Sequence, residues 1–478
     1  MIELKECNAD AICNALKKCL KDNGLDLQKL LAIGTDNASV MTGINNGVYA
    51  KLKKDIPHLI LIRCVCHSLQ LAVSHAAAEC LPRNIEFLVR ETYNWFSHSA
   101  IRQAKYRELY ACINDGLIPL KLVQVSQTRW MSIEGAISRI MQQWIELKAH
   151  FEVTKFSEKC YTADMLHSMY SDQRNYLYLL FLKSVLGEVQ RVNKAFEGEV
   201  NDPTKLLNDL LNLITSLCSK ILIPGRKITD DLVIENHLDP NPYLGYEFQT
   251  EMSKSKLTEE EKINLRSRCI KFVVELIKQL RQRLPDNVSV LSKMSAISVS
   301  ECLNPMKRDI IDLAKLFNEE PAAITNIDFQ WRRLHHIKWS DTNDTLRFWS
   351  EVSSYRDSSG ENPLGELANL AVSLLSLPHS NADVERTFSQ MNIIKSKIRN
   401  RMNLKTLNSI LSTRYGLKRK GKCCYDYKLP KEVVDAIGDS AKYKTQDEPG
   451  TSQSLEASLI NLEVEDDLDI PELLLLDF

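Results

Sequence analysis

The most informative stretch for the architecture is Leu30-Leu31-Ala32-Ile33-Gly34-Thr35-Asp36. Its continuous apolar part ends at a glycine and is typical of a short buried strand. A second apolar run, Leu59 to Cys64, predicts another strand. Apolar residues at helical spacing flank the two runs: Ala11, Ile12, Ala15, Leu16, Cys19 and Leu20, then Ala38, Met41, Ile44, Val48 and Leu52, then Leu69, Val73, Ala76 and Cys80. This alternation of helix and strand predicts parallel pairing beneath covering helices, an α/β fold.

The middle of the chain has a different pattern, because residues 132 to 350 contain long helical stripes and few glycines. Examples are Ile133 to Phe151, Arg174 to Phe196, Thr204 to Leu222 and Thr258 to Leu284. After a connector rich in Ser, Asp and Gly, an apolar helix is predicted over Leu364 to Leu377. Another helix follows, with Ser380 as its N-cap and a buried stripe of Val384, Phe388, Met391, Ile394 and Ile398. We therefore predict an α/β core that is interrupted by a large all-α insertion.

Composition limits the classes of protein that this chain can represent. Its 478 residues are 44% hydrophobic, and 61 Lys and Arg against 62 Asp and Glu leave a net charge of -1. At about 150 residues per domain, roughly three compact units are expected. The balance excludes a uniformly basic nucleic-acid coat, and no apolar run approaches the ~18 residues that span a bilayer, so no membrane partner is expected. The first residues show no secretory pattern, and an odd count of 13 cysteines favours reduced thiols in the cytosol or nucleus.

Asp36 follows the first predicted strand, at the edge where open α/β sheets place ligand-binding groups. One interpretation makes it a helix N-cap that accepts hydrogen bonds from free backbone N–H groups. The other makes it a metal ligand. Residue type and spacing leave both open.

Two further motifs contain side chains of the types that bind metal ions or nucleic acid. Cys64-Val65-Cys66-His67 contains residue types that bind metals, but a closed zinc site needs four ligands and the sequence has no second CxxC or HxxxH pair. The favoured role of this motif is therefore packing, with the His67 ring in a hydrogen bond. Arg129 and Trp130 follow an alternating run, Leu120 to Val125, that predicts a strand. An Arg–Trp pair can hold a phosphate and stack an unpaired base, although composition alone favours a core tryptophan.

The C-terminal third holds the most concentrated charge in the chain. From Arg386 to Lys422, here called the basic stretch, there are eleven Lys or Arg residues and no acidic residue. The alternatives are a solvated helical surface and a surface for an anionic partner such as DNA. Glu385 directly precedes this stretch and borders the predicted apolar stripe.

Four blocks in a fixed order resemble the hAT transposase superfamily. They are Gly34 to Met41, Cys64-Val65-Cys66-His67, Thr128-Arg129-Trp130, and Ser380 to Ser389 with Arg399-Asn400-Arg401. The resemblance implies an RNase H-like core, the all-α insertion and C-terminal dimerisation helices. The predicted domains are the first part of the core (1–131, with its first strand missing), the insertion (132–350), the dimerisation region that completes the core (351–422) and a C-terminal segment with an acidic tail (423–478).

The resemblance also implies roles for individual residues. Asp36 and Glu385 resemble the second and third acidic residues of a DDE triad, which holds two Mg²⁺ ions in active relatives. Trp130 resembles the residue that stabilises a flipped base at a cleaved DNA end. Together with the charge of the basic stretch, this predicts nucleic-acid contacts for Arg129, Trp130, Lys395, Lys397, Arg399 and Arg401. Self-association, as a homodimer or a larger assembly, is implied for Leu375, Val384, Phe388, Ile394, Leu407 and Leu411.

The first aspartate of the triad and a BED-type zinc finger are missing from the sequence before Asp36. We therefore expect a domesticated nuclear protein that dimerises and binds protein or DNA, without transposase activity and without a cofactor. One alternative is an active or truncated DDE transposase that uses Mg²⁺ and whose missing Asp lies on sequence not present here. A second alternative, based on similarity to related domesticated proteins, is a SUMO-ligase-like conjugation factor.

The last residues, Thr445 to Phe478, contain ten acidic residues and no Lys or Arg. This acidic tail predicts disorder in isolation. Its large apolar residues also suit a peptide that orders on contact with a nuclear protein partner, and the alternative is a purely solubilising end.

Overall fold

The computed structural model describes residues 1–124, 130–199, 202–229, 232–316 and 320–438, with the backbone alone for residues 130–132, 285 and 436–438. The fold is mostly helical (67%). The chain divides into two compact units, a larger one of Leu4–Asp383 and a smaller one of Met1–Glu3 with Val384–Phe478. The four domains predicted from the sequence are a different division and stay a prediction.

The N-terminal part of the larger unit contains α1 (Ala9–Asp22), β1 (Ala32–Thr35), α2 (Ser39–Thr42), α3 (Val48–Asp55), β2 (Ile60–Arg63), α4 (Val65–Cys80), α5 (Arg83–Ser97) and α6 (Ala100–Ile113). The helical part continues with α7 (Trp130–Met141), α8 (Trp144–Ser157), α9 (Tyr161–Ser171), α10 (Gln173–Glu197), α11 (Leu206–Ile221), α12 (Tyr246–Lys254) and α13 (Glu259–Arg283). It ends with α14 (Pro285–Ser295), α15 (Val299–Leu303), α16 (Ile311–Ala314), α17 (Pro321–Arg333), α18 (Thr345–Ser354) and α19 (Gly365–Leu375). Three more helices follow: α20 (Ala382–Ile394), α21 (Leu404–Arg419) and α22 (Lys431–Gly438).

The two predicted strands are present and pair in parallel, as the order of elements predicts. Ala32 of β1 lies opposite Ile60 of β2, and Thr35 lies opposite Arg63. Among the described residues these are the only strands that form a sheet. The carboxyl ends of the two strands, Thr35 and Arg63, lie side by side at one edge of the sheet. Asp36 directly follows the first strand, and the block that begins at Cys64 directly follows the second.

The strand predicted over Leu120 to Val125 is wrong for its described part, since residues 120–124 form neither helix nor strand. Hydrogen bonds that involve side chains are found there in place of the backbone hydrogen bonds of a paired strand. Gln143 donates from Nε2 to the Leu120 carbonyl at 3.1 Å, and Tyr93 donates to Oε1 of Gln124 at 2.8 Å. The apolar residues Leu122 and Val123 pack against the core. Alternation therefore identified a partly buried segment and not a paired strand.

The helical stripe predicted from Ala38 to Leu52 is divided into two helices, and Ile44 is 92% exposed. The break occurs at Gly43 and Gly47, whose backbones lie against each other. A Cβ on Gly47 would lie 2.5 Å from the Gly43 nitrogen. No side chain fits between them, so the turn requires glycine. The stripe over Ile133 to Phe151 is likewise divided, into α7 and α8.

The other long predicted helices are confirmed, and they build one large hydrophobic core in the larger unit. Helix α13 packs against α4, and α10 packs against α7 and α11. Helix α13 begins with a capping box in which Thr258 and Glu261 satisfy each other's backbone N–H groups. Because α10 contributes residues such as Phe181 and Val185 with no exposed surface, it runs through the centre of this core. No described helix combines the length and apolar content needed to cross a membrane.

Candidate functional site

The C-terminal part of the chain contains the predicted dimerisation region. Helix α19 confirms the predicted apolar helix and buries Leu367, Leu370 and Leu374 in the large core. Its N-terminus is held by α17, because Gln330 accepts a hydrogen bond from the Leu367 N–H at 2.9 Å. Leu375, at the end of the helix, is partly buried against the same core. Helix α19 is therefore an integral part of the larger unit.

The segment that follows α19 lies at the carboxyl ends of both strands. The Ser380 hydroxyl donates to the Phe196 carbonyl at 2.7 Å, and the Asn381 N–H donates to Sγ of buried Cys64 at 3.4 Å. Pro378 approaches β1 so closely that a Cβ on Gly34 would lie 2.9 Å from its Cγ. The sequence resemblance singled out Gly34, Cys64 and Ser380 in separate blocks, and the structure brings these blocks together.

Helix α20 departs from the predicted pattern of burial. Ser380 contributes to its start, since its hydroxyl accepts a 3.4 Å hydrogen bond from the Ala382 N–H. Of the predicted stripe, Ile394 is buried and Met391 is partly buried. The prediction is wrong for Val384, Phe388 and Ile398, which are 54%, 48% and 96% exposed. Amphipathic spacing identifies the face of a helix, but no described residue of the chain covers Val384 and Phe388 on the first turns of that face.

Residues at positions i and i+4 lie on one face of a helix, so Val384 and Phe388 form a joint exposed surface, here called the α20 patch. Ile393, on the opposite side of α20, is 48% exposed as well. Apolar residues therefore occupy more than one face of α20. Large exposed apolar side chains that lie next to each other are typical of protein interaction sites.

The smaller unit has its own small core. Ile394, Leu407 and Leu411 are buried there, with Met391, Met402 and Tyr415 packed around them. Asn403 caps α21 by accepting the Thr406 N–H at 2.8 Å, and the hydroxyls of Thr387 and Tyr415 lie 3.2 Å apart. Three predicted dimerisation residues, Ile394, Leu407 and Leu411, thus stabilise the fold of the single chain. The other two predicted dimerisation residues of the smaller unit are Val384 and Phe388, which form the α20 patch.

The basic stretch surrounds this small core. Ten of its eleven cations, all except Arg386, are exposed. Lys395, Lys397, Arg399 and Arg401 lie on the turns between α20 and α21, and the remaining exposed cations lie on α21 or just after it. Ile398, Arg399, Asn400, Arg401 and Met402 line a shallow depression. The arrangement presents an exposed cationic surface that includes a recess lined by two apolar residues and two arginines.

Asp36 lies exposed after β1, and its Oδ1 accepts the Ala38 N–H at 3.1 Å. The residue directly before α2 is Ala38, which has no side-chain cap. Asp36 therefore satisfies a backbone N–H near the helix start without occupying the N-cap position. Beside it, Asn37 donates to the Ser68 hydroxyl at 3.1 Å, while its own Oδ1 is buried and has no hydrogen-bond partner among the described residues.

The Cys64 block has a packing role, as the sequence favoured. Cys64 precedes α4 and is 2% exposed, and Sγ of Cys66 lies 3.8 Å from the Asn193 carbonyl. The predicted hydrogen bond of the His67 ring is absent among the described residues. Within each unit, the described side chains of His, Cys, Asp and Glu form no group of three that could hold a metal ion. The Mg²⁺ implied by the resemblance stays a prediction.

Glu385 is exposed on α20. It belongs to the smaller unit and Asp36 to the larger one, so the joint role of the two carboxylates stays a prediction. Helix α7 begins at Trp130, but Arg129 and the side chain of Trp130 lie outside the described residues. The acidic tail lies outside them as well.

Sequence reasoning missed two features of the region. It did not identify Ile393 as an exposed apolar residue, although Ile393 and Ile394 are adjacent and cannot both face the same core. It also did not predict the contact of Pro378 with Gly34, because the two residues are separated by most of the chain. The available signal was the glycine itself, which ends an apolar strand where a larger residue would otherwise be expected.

Residues 330–417 match the family model of the hAT family C-terminal dimerisation region. This supports a hAT-family, transposase-derived protein. The matched residues include α19, α20 and most of α21, and therefore the α20 patch and the small core of the smaller unit. Self-association is supported by the same match. No curated protein matches the chain.

Proposed function

We propose that this chain is a domesticated nuclear hAT protein that dimerises through the α20 patch and acts as a protein- and DNA-binding module without transposase activity. The observation that carries the proposal is the exposure of Val384 and Phe388 inside the matched dimerisation region. A symmetric dimer places the same patch on both partners. Two Phe388 rings would then be removed from water together, which is the largest apolar gain that α20 offers.

The finer fold class is part of the proposal. Support for an RNase H-like core comes from the parallel β1–β2 pair, the covering helices and the docking of Pro378 to Asn381 at the carboxyl ends of both strands. That docking returns the chain to the sheet after the long helical part. An experimental structure in which further strands extend this sheet would support the class, and a sheet of two strands alone would contradict it.

DNA binding by the basic stretch rests on the exposure of ten cations over a sequence without a single carboxylate. Each phosphate contact releases condensed counterions, so binding should weaken steeply with salt. If four to six cations touch phosphate, the log–log slope should be about -4 to -5. Charge reversal at Lys418, Arg419, Lys420 and Lys422 should flatten the slope in a fluorescence anisotropy titration. An unchanged slope would contradict this binding surface.

The proposed nuclear location rests on the same residues. Lys418 to Lys422 contains four cations in five residues, which is the composition of a short basic import signal. A fluorescent fusion should accumulate in the nucleus and lose that accumulation in the charge-reversed variant. Equal distribution of both proteins would contradict the proposal.

The direct test of the proposed function is the molar mass in solution. The chain has a mass of 54.6 kDa, so light scattering after size-exclusion chromatography should give twice that value. A monomer at tens of micromolar would overturn dimerisation. Metal-dependent DNA nicking that is abolished by both Asp36→Asn and Glu385→Gln would overturn the absence of catalysis.

A further inference from the structure

The charge of the chain is divided between two oppositely charged segments near its C-terminus. The basic stretch, residues 386–422, carries eleven cations and no anion, while residues 445–478 carry ten anions and no cation. The 22 residues between them are nearly neutral. Because ten of the cations are exposed on the smaller unit, the basic surface is open to an acidic polypeptide. Opposite charges of this size attract over about 10 Å at moderate salt.

We propose that the acidic tail, residues 445–478, binds the basic surface of its own chain and covers the cations that would otherwise contact an anionic partner. This contact goes beyond dimerisation and does not depend on DNA. It is a regulatory interaction surface whose occupant is a segment of the same polypeptide.

Side-chain pattern supports the same pairing. The recess at residues 398–402 combines two apolar residues, Ile398 and Met402, with two cations, Arg399 and Arg401. The tail contains Asp467-Leu468-Asp469-Ile470, which combines acidic residues with apolar ones. Ile398 is 96% exposed, so an apolar tail residue that covers it removes surface from water at both partners. A purely solubilising tail would need the charges but not the leucine and isoleucine between them.

Chain length permits the contact. Ile470 lies 32 residues beyond Gly438, the last described residue, and an extended chain covers about 3.3 Å per residue. The tether can therefore span roughly 100 Å, more than the diameter of a small helical unit. A tethered segment has an effective concentration on the order of millimolar. A weak intrinsic affinity is therefore enough to keep the surface covered.

The consequence is competition between the tail and nucleic-acid phosphate for the same cations. If the proposed DNA binding is correct, removing the negative charge of the tail should tighten it. The tail contact itself can be measured without DNA, so the two proposals can fail separately.

The test is zero-length carbodiimide cross-linking of the full chain, followed by peptide mass spectrometry. Cross-links from the tail should concentrate on Lys395, Lys397, Lys405, Lys418, Lys420 and Lys422. Exposed Lys105 and Lys254 of the larger unit serve as internal controls. The yield should fall at least fivefold between 50 and 500 mM salt. Cross-links spread evenly over the control lysines, or no tail cross-links at all, would overturn the proposal.

A variant with Glu463→Gln, Glu465→Gln, Asp466→Asn, Asp467→Asn and Asp469→Asn keeps the length and apolar residues of the tail. Its cross-links to the basic surface through the remaining tail carboxylates should fall at least threefold, with an unchanged melting temperature. An undiminished yield would contradict a charge-driven contact. In an equal mixture of ¹⁴N and ¹⁵N protein, cross-links should join peptides of the same isotope. If about half of the cross-links joined a ¹⁴N peptide to a ¹⁵N peptide, the tail would bind a second copy of the chain, and this result would overturn binding within one chain.

Discussion

Replacing Phe388 by alanine should weaken dimerisation strongly while leaving the folded single chain largely intact. Phe388 is 48% exposed on α20. A phenylalanine buries roughly 150–250 Å² when it is fully covered, so about 100 Å² remains for a partner to cover. At about 25 cal/mol per Å², this area is worth about 2.5 kcal/mol for each chain. A symmetric dimer counts it twice, and alanine retains a small part of it. We therefore expect a loss of about 4 kcal/mol, roughly a thousandfold in Kd.

Sedimentation equilibrium or light scattering over a concentration series measures this change directly. The matched control is Phe156→Ala, which removes another exposed phenylalanine, 72% exposed on α8. The control should dimerise like the wild-type chain. A Kd for Phe388→Ala within threefold of wild type would refute the assignment of the α20 patch. Equal weakening by both substitutions would show that the effect is not specific to α20.

Three further predictions concern the larger unit. Burial lowers the pKa of His150 to about 4, and the Trp95 N–H donates a hydrogen bond to its Nε2. The imidazole of His150 therefore binds a proton less readily in the native state than in the unfolded chain. Stability is therefore full above pH 6.5 and falls toward pH 4, with a loss of about 2 kcal/mol between pH 7 and 5. His150→Gln should remove that part of the loss in urea unfolding at the two pH values, and an unchanged loss would contradict this cause. Gly34→Ala should destabilise the unit by about 1–2 kcal/mol, because its Cβ would lie 2.9 Å from Cγ of Pro378. The control is Gly187→Ala on α10, where a Cβ meets nothing within 4 Å, and this substitution should stabilise the unit by about 0.5–1 kcal/mol. Equal changes in the free energy of urea unfolding for the two substitutions would refute the close contact between Gly34 and Pro378. Truncation after Asn362 removes α19 and uncovers the large core, so it should give aggregates in size-exclusion chromatography; a soluble, cooperatively folding monomer would be the contrary result.

Much of the secondary structure follows from local patterns alone. The two apolar runs at residues 30–33 and 59–64 predicted the strands, and the amphipathic pattern over Thr258 to Leu284 predicted α13. Local patterns were wrong where the outcome depended on contacts that hydrophobic periodicity does not describe. The run at residues 120–124 meets Gln143 and not a neighbouring strand, and the stripe from Ala38 to Leu52 is broken by a contact between two glycine backbones.

The candidate site shows the same division. Sequence alone determined that α20 has apolar residues at helical spacing, that eleven cations follow Glu385 without a carboxylate, and that separate blocks resemble one family. Only tertiary structure decided that Ile394, Leu407 and Leu411 close a small core while Val384 and Phe388 stay exposed. Helical periodicity specifies the direction of a side chain relative to its own helix axis. Burial depends on whether another element reaches that side, and for the α20 patch no described element of the single chain covers it.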